Sequence, residues 1–388
     1  MAKASSANAK LGYLTEATWG TIPTAAMQLV PFLRSTLAHD KQTRESQQIR
    51  GDREIPDLVE VFASGQGEVE AELVYSAYNA FIESALFSVF NPQTYTGSGC
   101  VFEADDDSIT KSSANWNAKF SVGQYIKISG ATNAANNGFH KISAITSSKI
   151  TCATSSFTDE TVVGDITIVG SIIRNGVTQK SLVLEHEYTD ITQFLSMPGA
   201  VADTMRINVT ASEIVRAIWG FIGKQGEYGA ATVGTGAASA ASTNGSMNAT
   251  AHVGQVAIGG TAVSCLVRSA EISVANQVRT RPAVGSRTSC TLGEGRVQVT
   301  GTIEAYFEDR SYLEAFTDHT SSSFHVRLFD AASSTGNAIF ITLPKLYFAQ
   351  GSIADIPGPD QDIMQRLNFQ AVLDATTDCT IQIDTFAA

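Results

Sequence analysis

A metal or nucleophilic centre in this chain would have to be built from six histidines and five cysteines. The histidines are His39, His140, His186, His252, His319 and His325, and none stands in a His-Glu-x-x-His frame. That frame puts two imidazoles on one helix face around zinc. Glu185-His186-Glu187 comes nearest to a ligand cluster, but on a strand the two carboxylates face away from the imidazole, so an exposed strand is expected there. Asp105-Asp106-Asp107 offers carboxylates without the spaced oxygens and turn glycine of a calcium loop. It reads as a solvated acidic turn. Gly234-Thr235-Gly236 has neither the preceding strand nor the following helix that a phosphate-cradling loop needs. No Gly-x-Ser-x-Gly elbow is present. The residues therefore predict no catalytic, metal or cofactor site and no enzyme. A β-rich hydrolase, which would need carboxylates clustered in a cleft, is a minor alternative.

Cys100, Cys152, Cys265, Cys290 and Cys379 are odd in number and lack a Cys-x-x-Cys spacing. This pattern favours free thiols in a reducing compartment over a disulfide framework. There is no apolar signal core at the start and no run approaching a membrane span, so a soluble chain made in the cytoplasm, without a membrane partner, is expected. The net charge of −12 argues against gripping nucleic acid, which requires Lys and Arg to replace phosphate counterions. Charged residues make up only 16%, below the roughly 25% of ordinary soluble domains. That leaves surface for neighbouring subunits to cover.

The elements that would position these residues repeat along the chain. Phe32-Leu33-Arg34-Ser35-Thr36 returns as Leu266-Val267-Arg268-Ser269-Ala270, at an offset of 234. Gly67, Val69, Glu70, Ala71, Leu73 and Tyr78 meet Gly301, Ile303, Glu304, Ala305, Phe307 and Tyr312 at that same offset. Arg206–Ala211 resembles Arg366–Ala371 at an offset of 160, and the difference of 74 measures extra sequence in the first copy. Two copies of one domain are predicted, the first interrupted by a guest. The boundaries are 1–95 with 171–226 for the first copy, 96–170 for the guest, 227–252 for a flexible Ala/Gly/Ser-rich linker, and 253–388 for the second copy.

Within each copy the pattern is a strand followed by one helix. Residues 67–74 alternate, with Val69, Ala71 and Leu73 on one face and Glu68, Glu70 and Glu72 on the other. Tyr78, Phe81, Ile82, Ala85, Leu86 and Val89 then form an apolar stripe, with Ser76 as cap. Strand 296–307, Asp309 as cap, and Tyr312, Leu313 and Phe316 repeat this. Residues 1–25 read as an extended arm and 26–38 as a strand. The polar stretch 41–58 reads as a long loop or hairpin arm, matched by 277–295. The guest has short β runs around an Asn136-Asn137-Gly138 hairpin turn, giving a small independent barrel or sandwich. The fold class is mainly β: two tandem sandwich or barrel domains, each with one flanking helix, plus the inserted β domain.

Leu11-Gly12-Tyr13, the run Glu16–Pro23, Leu33–Thr36, the Gly67–Leu73 strand leading into the Tyr78 helix, and Arg206–Ala211 running into Ile214–Lys224 together resemble the tail tube proteins of long-tailed, non-contractile bacteriophages. The resemblance implies a structural virion protein whose sheets join around a ring, a trimer imitating a hexamer in the tandem form. Stacked rings would make a hollow tail tube that conducts DNA without binding it specifically. The implied partners are further copies of the chain and the tape measure, tail terminator and distal tail proteins. Glu68, Glu70, Glu72 and Glu304 then become candidates for the lumen, although the same face could be external. Arg44, Arg50, Asp52, Arg53 and Glu54 in the first arm, with Arg279, Arg281 and Arg287 in the second, become candidates for contacts between rings or subunits. The guest is expected on the outside. The competing expectation is a virion adhesin whose guest binds carbohydrate through Trp116 and Tyr125.

Overall fold

The computed structural model describes residues 3–153, 157–248, 253–263, 266–331, 336–353 and 359–388. Strands account for 51% of the chain, and two α-helices, Asn79–Leu86 and Ser311–Thr317, are present among the described residues. His252 and Cys265 lie outside the described residues.

The largest feature is one continuous antiparallel sheet of eight strands among the described residues. Its order is Ala38–Glu45 with the short Arg34–Ser35, Leu58–Glu72, Arg216–Gly223, Gln193–Thr210, Val267–Ala275, Gln298–Tyr306, Met364–Ala371 and Ala338–Ile353. Alternation gives this sheet two unlike faces. Val69, Trp219, Met205, Val274 and Val299 lie in register on one face and are buried. Glu70, Ile218, Arg206, Ser273 and Thr300 lie in register on the other.

A second layer covers the apolar face. Ala9–Thr15 pairs with Leu182–Tyr188, which pairs with the first part of Gln193–Thr210, which pairs with Glu227–Gly229. The order recurs in the second half: Val253–Ile258, Ser322–Phe329, the first part of Ala338–Ile353, then Gln382–Phe386. The two long strands, Gln193–Thr210 and Ala338–Ile353, each serve both layers. Between the layers of the first half, Phe81 packs its ring against Trp219 and Phe221 at centroid separations of 5.4 and 5.1 Å. Burial of these aromatic rings is the main local drive to hold the helix on the sheet.

Several expectations are corrected. Within the expected extended arm, residues 9–15 form a paired strand, and the strand expected at 67–74 runs from Leu58 to Glu72. Ser76 does not cap the helix: it sits at φ 59° and the helix begins after Tyr78 without a side-chain cap. Val89 is exposed rather than part of the buried stripe. Asp309 is not the cap of the second helix either: Arg310 holds that position without a side-chain cap bond, and Asp309, one residue earlier, accepts a hydrogen bond from the Ser311 amide at 2.8 Å. The segment 227–248 is not a free linker. Ser239 bonds to Met27 and Leu29, and Met247, fully buried, bonds to Leu73 and Val215. Its small residues let it lie against strand edges, whose backbone groups need partners. The rest of the proposed linker, 249–252, is outside the described residues.

The third sequence block is also misplaced. Met364–Ala371 pairs with Gln298–Tyr306, so that Arg366 faces Glu304. Facing Glu70 in the first half is Ile218, not Arg206. The likeness of Arg206–Ala211 to Arg366–Ala371 is therefore one of strands in neighbouring positions, both alternating polar and apolar.

The guest has its own core around Trp116, Phe102, Phe120, Ile126 and Ile168. The strand Tyr125–Ser129 pairs with Gly138–Ile145 across the expected turn region. It is nevertheless not independent. Its last strand, Ile166–Arg174, continues beyond the guest, where Ser171–Arg174 pairs with Gln382–Thr385 of the second half, and within the guest Tyr125 and Phe139 share an apolar cluster with Phe329, Phe340 and Phe386.

Candidate assembly surfaces

The four glutamates singled out from alternation lie on the polar face of the eight-stranded sheet. Each is held there because Val69, Ala71, Ile303 and Ala305 occupy the buried face. Glu68 is exposed, and Glu70 and Glu72 are half-buried. Glu70 is 3.1 Å from the guanidinium of Arg216, Glu72 accepts a hydrogen bond from Ser246 at 2.7 Å, and Glu304 accepts one from Ser269 at 3.3 Å. Of the four, Glu70 and Glu304 come together in a groove of about 630 Å³ lined also by Glu213, Arg216, Glu271 and Arg366, whereas Glu68 and Glu72 lie outside its lining.

The face is not a bare acidic surface. Arg34 stands opposite Glu70, Arg366 opposite Glu304, and Arg206 lies 3.4 Å from Glu271. Glu68, Glu70, Glu72, Glu271 and Glu304 are thus interleaved with Arg34, Arg206, Arg216 and Arg366. With Glu213, the carboxylates outnumber the arginines, but each of these arginines has a carboxylate neighbour. Sequence reasoning missed the arginines because they sit on strands distant in sequence, brought alongside only by the pairing register.

The first charged arm is a hairpin projecting from the sheet. Arg44 lies on its outgoing strand, Ala38–Glu45, and Arg50, Asp52, Arg53 and Glu54 are exposed near its tip. The Arg50 guanidinium bonds Asp52 at 2.7 Å and holds that carboxyl below its usual pKa; the Glu54 amide bonds the same carboxylate. Arg53 takes a left-handed φ of 64°. The arm also carries apolar side chains that its charge had obscured. Ile49, Ile55, Leu58, Val59 and Val61 are all exposed, a concentration of the kind that marks a contact surface.

The second arm has much less strand pairing. Arg279 lies on a two-residue strand paired with Leu292–Gly293, and the Arg281 amide bonds the Ser289 hydroxyl at 3.1 Å. Arg287 is committed within the chain: its guanidinium bonds Glu60, which Lys41 also contacts at 3.2 Å, and its carbonyl accepts the Ala63 amide. The middle of the second arm is therefore tied to the base of the first.

The residues considered for other chemistry are occupied structurally. Glu185 and His186 are buried rather than exposed. Glu185 accepts hydrogen bonds from Thr232 and Val233, while His186 Nε2 lies 2.8 Å from the Ser35 hydroxyl. Burial pushes the His186 pKa down to about 4. Asp106 is paired with Lys149 at 2.5 Å. Trp116 is fully buried and Tyr125 nearly so, which removes the exposed aromatic platform that the adhesin expectation required. No described helix is long and apolar enough to cross a membrane. Cys100, Cys290 and Cys379 are free thiols.

No curated protein matches the chain. The family described as Phage tail tube protein matches residues 6–371. That span takes in the eight-stranded sheet, both arms and the guest, and it identifies a structural component of the virion tail: the chain belongs to the phage tail tube protein family.

Proposed function

We propose that this chain is a tandem-duplicated tail tube protein of the non-contractile type. Three copies close into a ring with pseudo-sixfold symmetry, and rings stack into the tube through which DNA leaves the particle. The observation that carries this is the continuous sheet with one polar face, one covered apolar face, and two edges left open among the described residues. An open edge is a template for another strand, and joining edges head to tail around a rotation axis gives a closed ring. The recurrence of the same strand order in each half supports two copies per chain.

In this arrangement the polar face lines the lumen. A surface with paired arginines and a slight carboxylate excess offers DNA few free cations to bind, so the polymer stays mobile. The guest and the covering layer lie outside. The arms reach toward the neighbouring ring, and the tape measure, terminator and distal tail proteins meet the tube ends. The chain acts as a conduit and has no catalytic role. Electron microscopy of the purified protein tests this: rings with threefold symmetry and stacked tubes are expected. A monomer persisting at high concentration, without rings or tubes, would overturn it.

A further inference from the structure

The two outer strands of the eight-stranded sheet have no partner on their outer sides among the described residues. Ala38–Glu45 pairs only with Leu58–Glu72, and from Tyr347 onward Ala338–Ile353 pairs only with Met364–Ala371. Six strands separate these edges, so within this sheet they do not meet each other.

The chain also contains a seam of the same kind already closed. Thr204–Thr210 of the first half pairs with Ser269–Ala275 of the second, with Arg206 opposite Ser273 and Thr204 opposite Ala275. The Asn276 amide bonds the Asp203 carbonyl, and the Ala211 amide bonds Arg268, both at 2.8 Å. Residues 203 and 211 therefore sit at hydrogen-bonded positions, and Thr204 and Arg206 at the alternate, closely spaced ones.

Each side of that seam has a counterpart at an open edge. Ser273 faces Thr300, and Ala38 faces Gln66 in the corresponding place. Arg206 faces Ile218, and Ser352 faces Arg366 in the corresponding place. The match extends to an irregularity: the register shifts between Ala202 and Thr204, and again between Phe348 and Gln350.

We propose that the partner of each open edge is a second copy of this chain, joined in one specific antiparallel register. Ser352 of one copy stands opposite Ala38 of the next, Gly351 opposite His39, and Gln350 opposite Asp40. This rests on the ring proposed above and fixes its inter-chain contact. The internal seam places Met205 against Val274 on the covered face, where the inter-chain seam places Gly351 against His39. The joint between copies therefore buries less apolar surface than the joint within a copy.

Cysteine pairs test the register. In a Cys290→Ser background, Ala38→Cys with Ser352→Cys places two thiols at a narrow pair, with Cα atoms about 4.5 Å apart. Oxidation of assembled tubes should convert most of the protein to covalent multimers on a non-reducing gel. Ala38→Cys with Gln350→Cys is two residues out of register, about 7–8 Å apart, and should remain monomeric. Asp40→Cys with Gln350→Cys is a second in-register pair, for use if the first perturbs folding as judged by circular dichroism. Mixing singly substituted Ala38→Cys and Ser352→Cys chains should give a hetero-dimer if doubly substituted chains do not assemble. Tubes in which only the off-register pair links, or neither in-register pair does, would overturn the register while leaving the tube intact. Absence of rings and tubes from the unsubstituted protein would instead overturn the ring itself.

Discussion

Tyr125 of the inserted segment lies face to face with His325 of the second half, their ring centroids 4.6 Å apart and their planes within 12°. Arg327 lies over Tyr125 at 5.0 Å and over Phe340 of the same cluster at 5.3 Å. Phe139 meets Phe340 and Phe386 edge-on, both at 5.0 Å. The insert thus braces a part of the chain remote from its own point of entry.

Phe139→Ala should remove the centre of this joint. For a half-buried aromatic the loss is about 2–3 kcal/mol, at the low end of large-to-small substitutions. Thermal or denaturant unfolding should show it, with limited proteolysis cutting the insert first. Unchanged stability and proteolysis would mean the insert is held chiefly by the Ile166–Arg174 strand. Deleting 97–169 outright should leave Phe329, Phe340 and Phe386 uncovered and yield soluble tubes poorly, as read by sedimentation. Tubes formed at the normal yield would show that the brace is dispensable.

Asp384 gives this joint a pH dependence. It is fully buried; the Gln382 amide bonds its Oδ2 at 2.7 Å, and Oδ1 has no partner. Desolvation by burial raises its pKa from 3.8 to about 8, against hydrogen bonds from Gln382 and the Tyr125 backbone and the charges of Arg174 and Lys141. The folded protein then retains a proton that the unfolded chain has lost, so this group's contribution weakens as pH rises from about 4 to about 8. Asp384→Asn, which mimics the neutral form, should gain stability relative to the parent across that window and level off above it. A melting-temperature difference that does not change with pH would contradict the protonated state.

Buried histidines act at the other end of the scale. Burial lowers His140 and His186 to about 4 and His325 to about 3, with Arg327 and Lys141 adding to the effect at His325. Each is neutral when folded, whereas in the unfolded chain it protonates near pH 6.5. Stability should therefore fall as pH drops from about 6.5 toward 4. His186→Gln keeps a polar partner for Ser35 and should flatten part of that slope in melts at graded pH.

The arm hairpin should matter to growth more than to folding. Reversing Arg44, Arg50 and Arg53 to Glu changes exposed charges, and single exposed pairs contribute only about 0–1 kcal/mol, so the melting temperature should barely move. Tube length in electron micrographs should collapse to single rings or short stacks. Normal tubes would remove these arginines from the ring-to-ring contact.

Charge on the polar face is testable in the particle. Replacing Glu68, Glu70, Glu72 and Glu304 by Lys leaves Arg34, Arg206, Arg216 and Arg366 with few carboxylates and turns the face strongly cationic. Assembled particles should then eject DNA slowly, and more so at low salt, where phosphate attraction is strongest. Assembly with a normal ejection rate would move this face out of the lumen.

Local order was legible in the sequence where alternation was strict. Val69, Ala71 and Leu73 against Glu68, Glu70 and Glu72 identified a strand and its two faces, and the Tyr78–Leu86 stripe identified its helix. Long-range register was not legible. Ile218 and Arg206 lie on adjacent strands of similar composition, and a likeness of residues at Arg366 favoured the wrong one; only the hydrogen-bond ladder distinguishes them. Composition misled at Met247, a single buried side chain that anchors a stretch of small polar residues. It misled again at the arm, where Arg44, Arg50 and Arg53 drew notice away from Leu58, Val59 and Val61. The balance of charge on the polar face needed both halves in register before Arg206 and Arg366 could be seen beside Glu271 and Glu304.

The ladder from Thr204–Thr210 to Ser269–Ala275 is made within one polypeptide. Its formation therefore does not depend on protein concentration, because tethering replaces a bimolecular encounter. In a ring of such chains, every second joint would be present before any two molecules met. Dilution would act only on the remaining joints, and intermediates lacking a half-unit could not arise. If the two halves are copies of one domain, joining them would also free them from identity, so that one could carry a bracing insert while the other supplied the surface it braces.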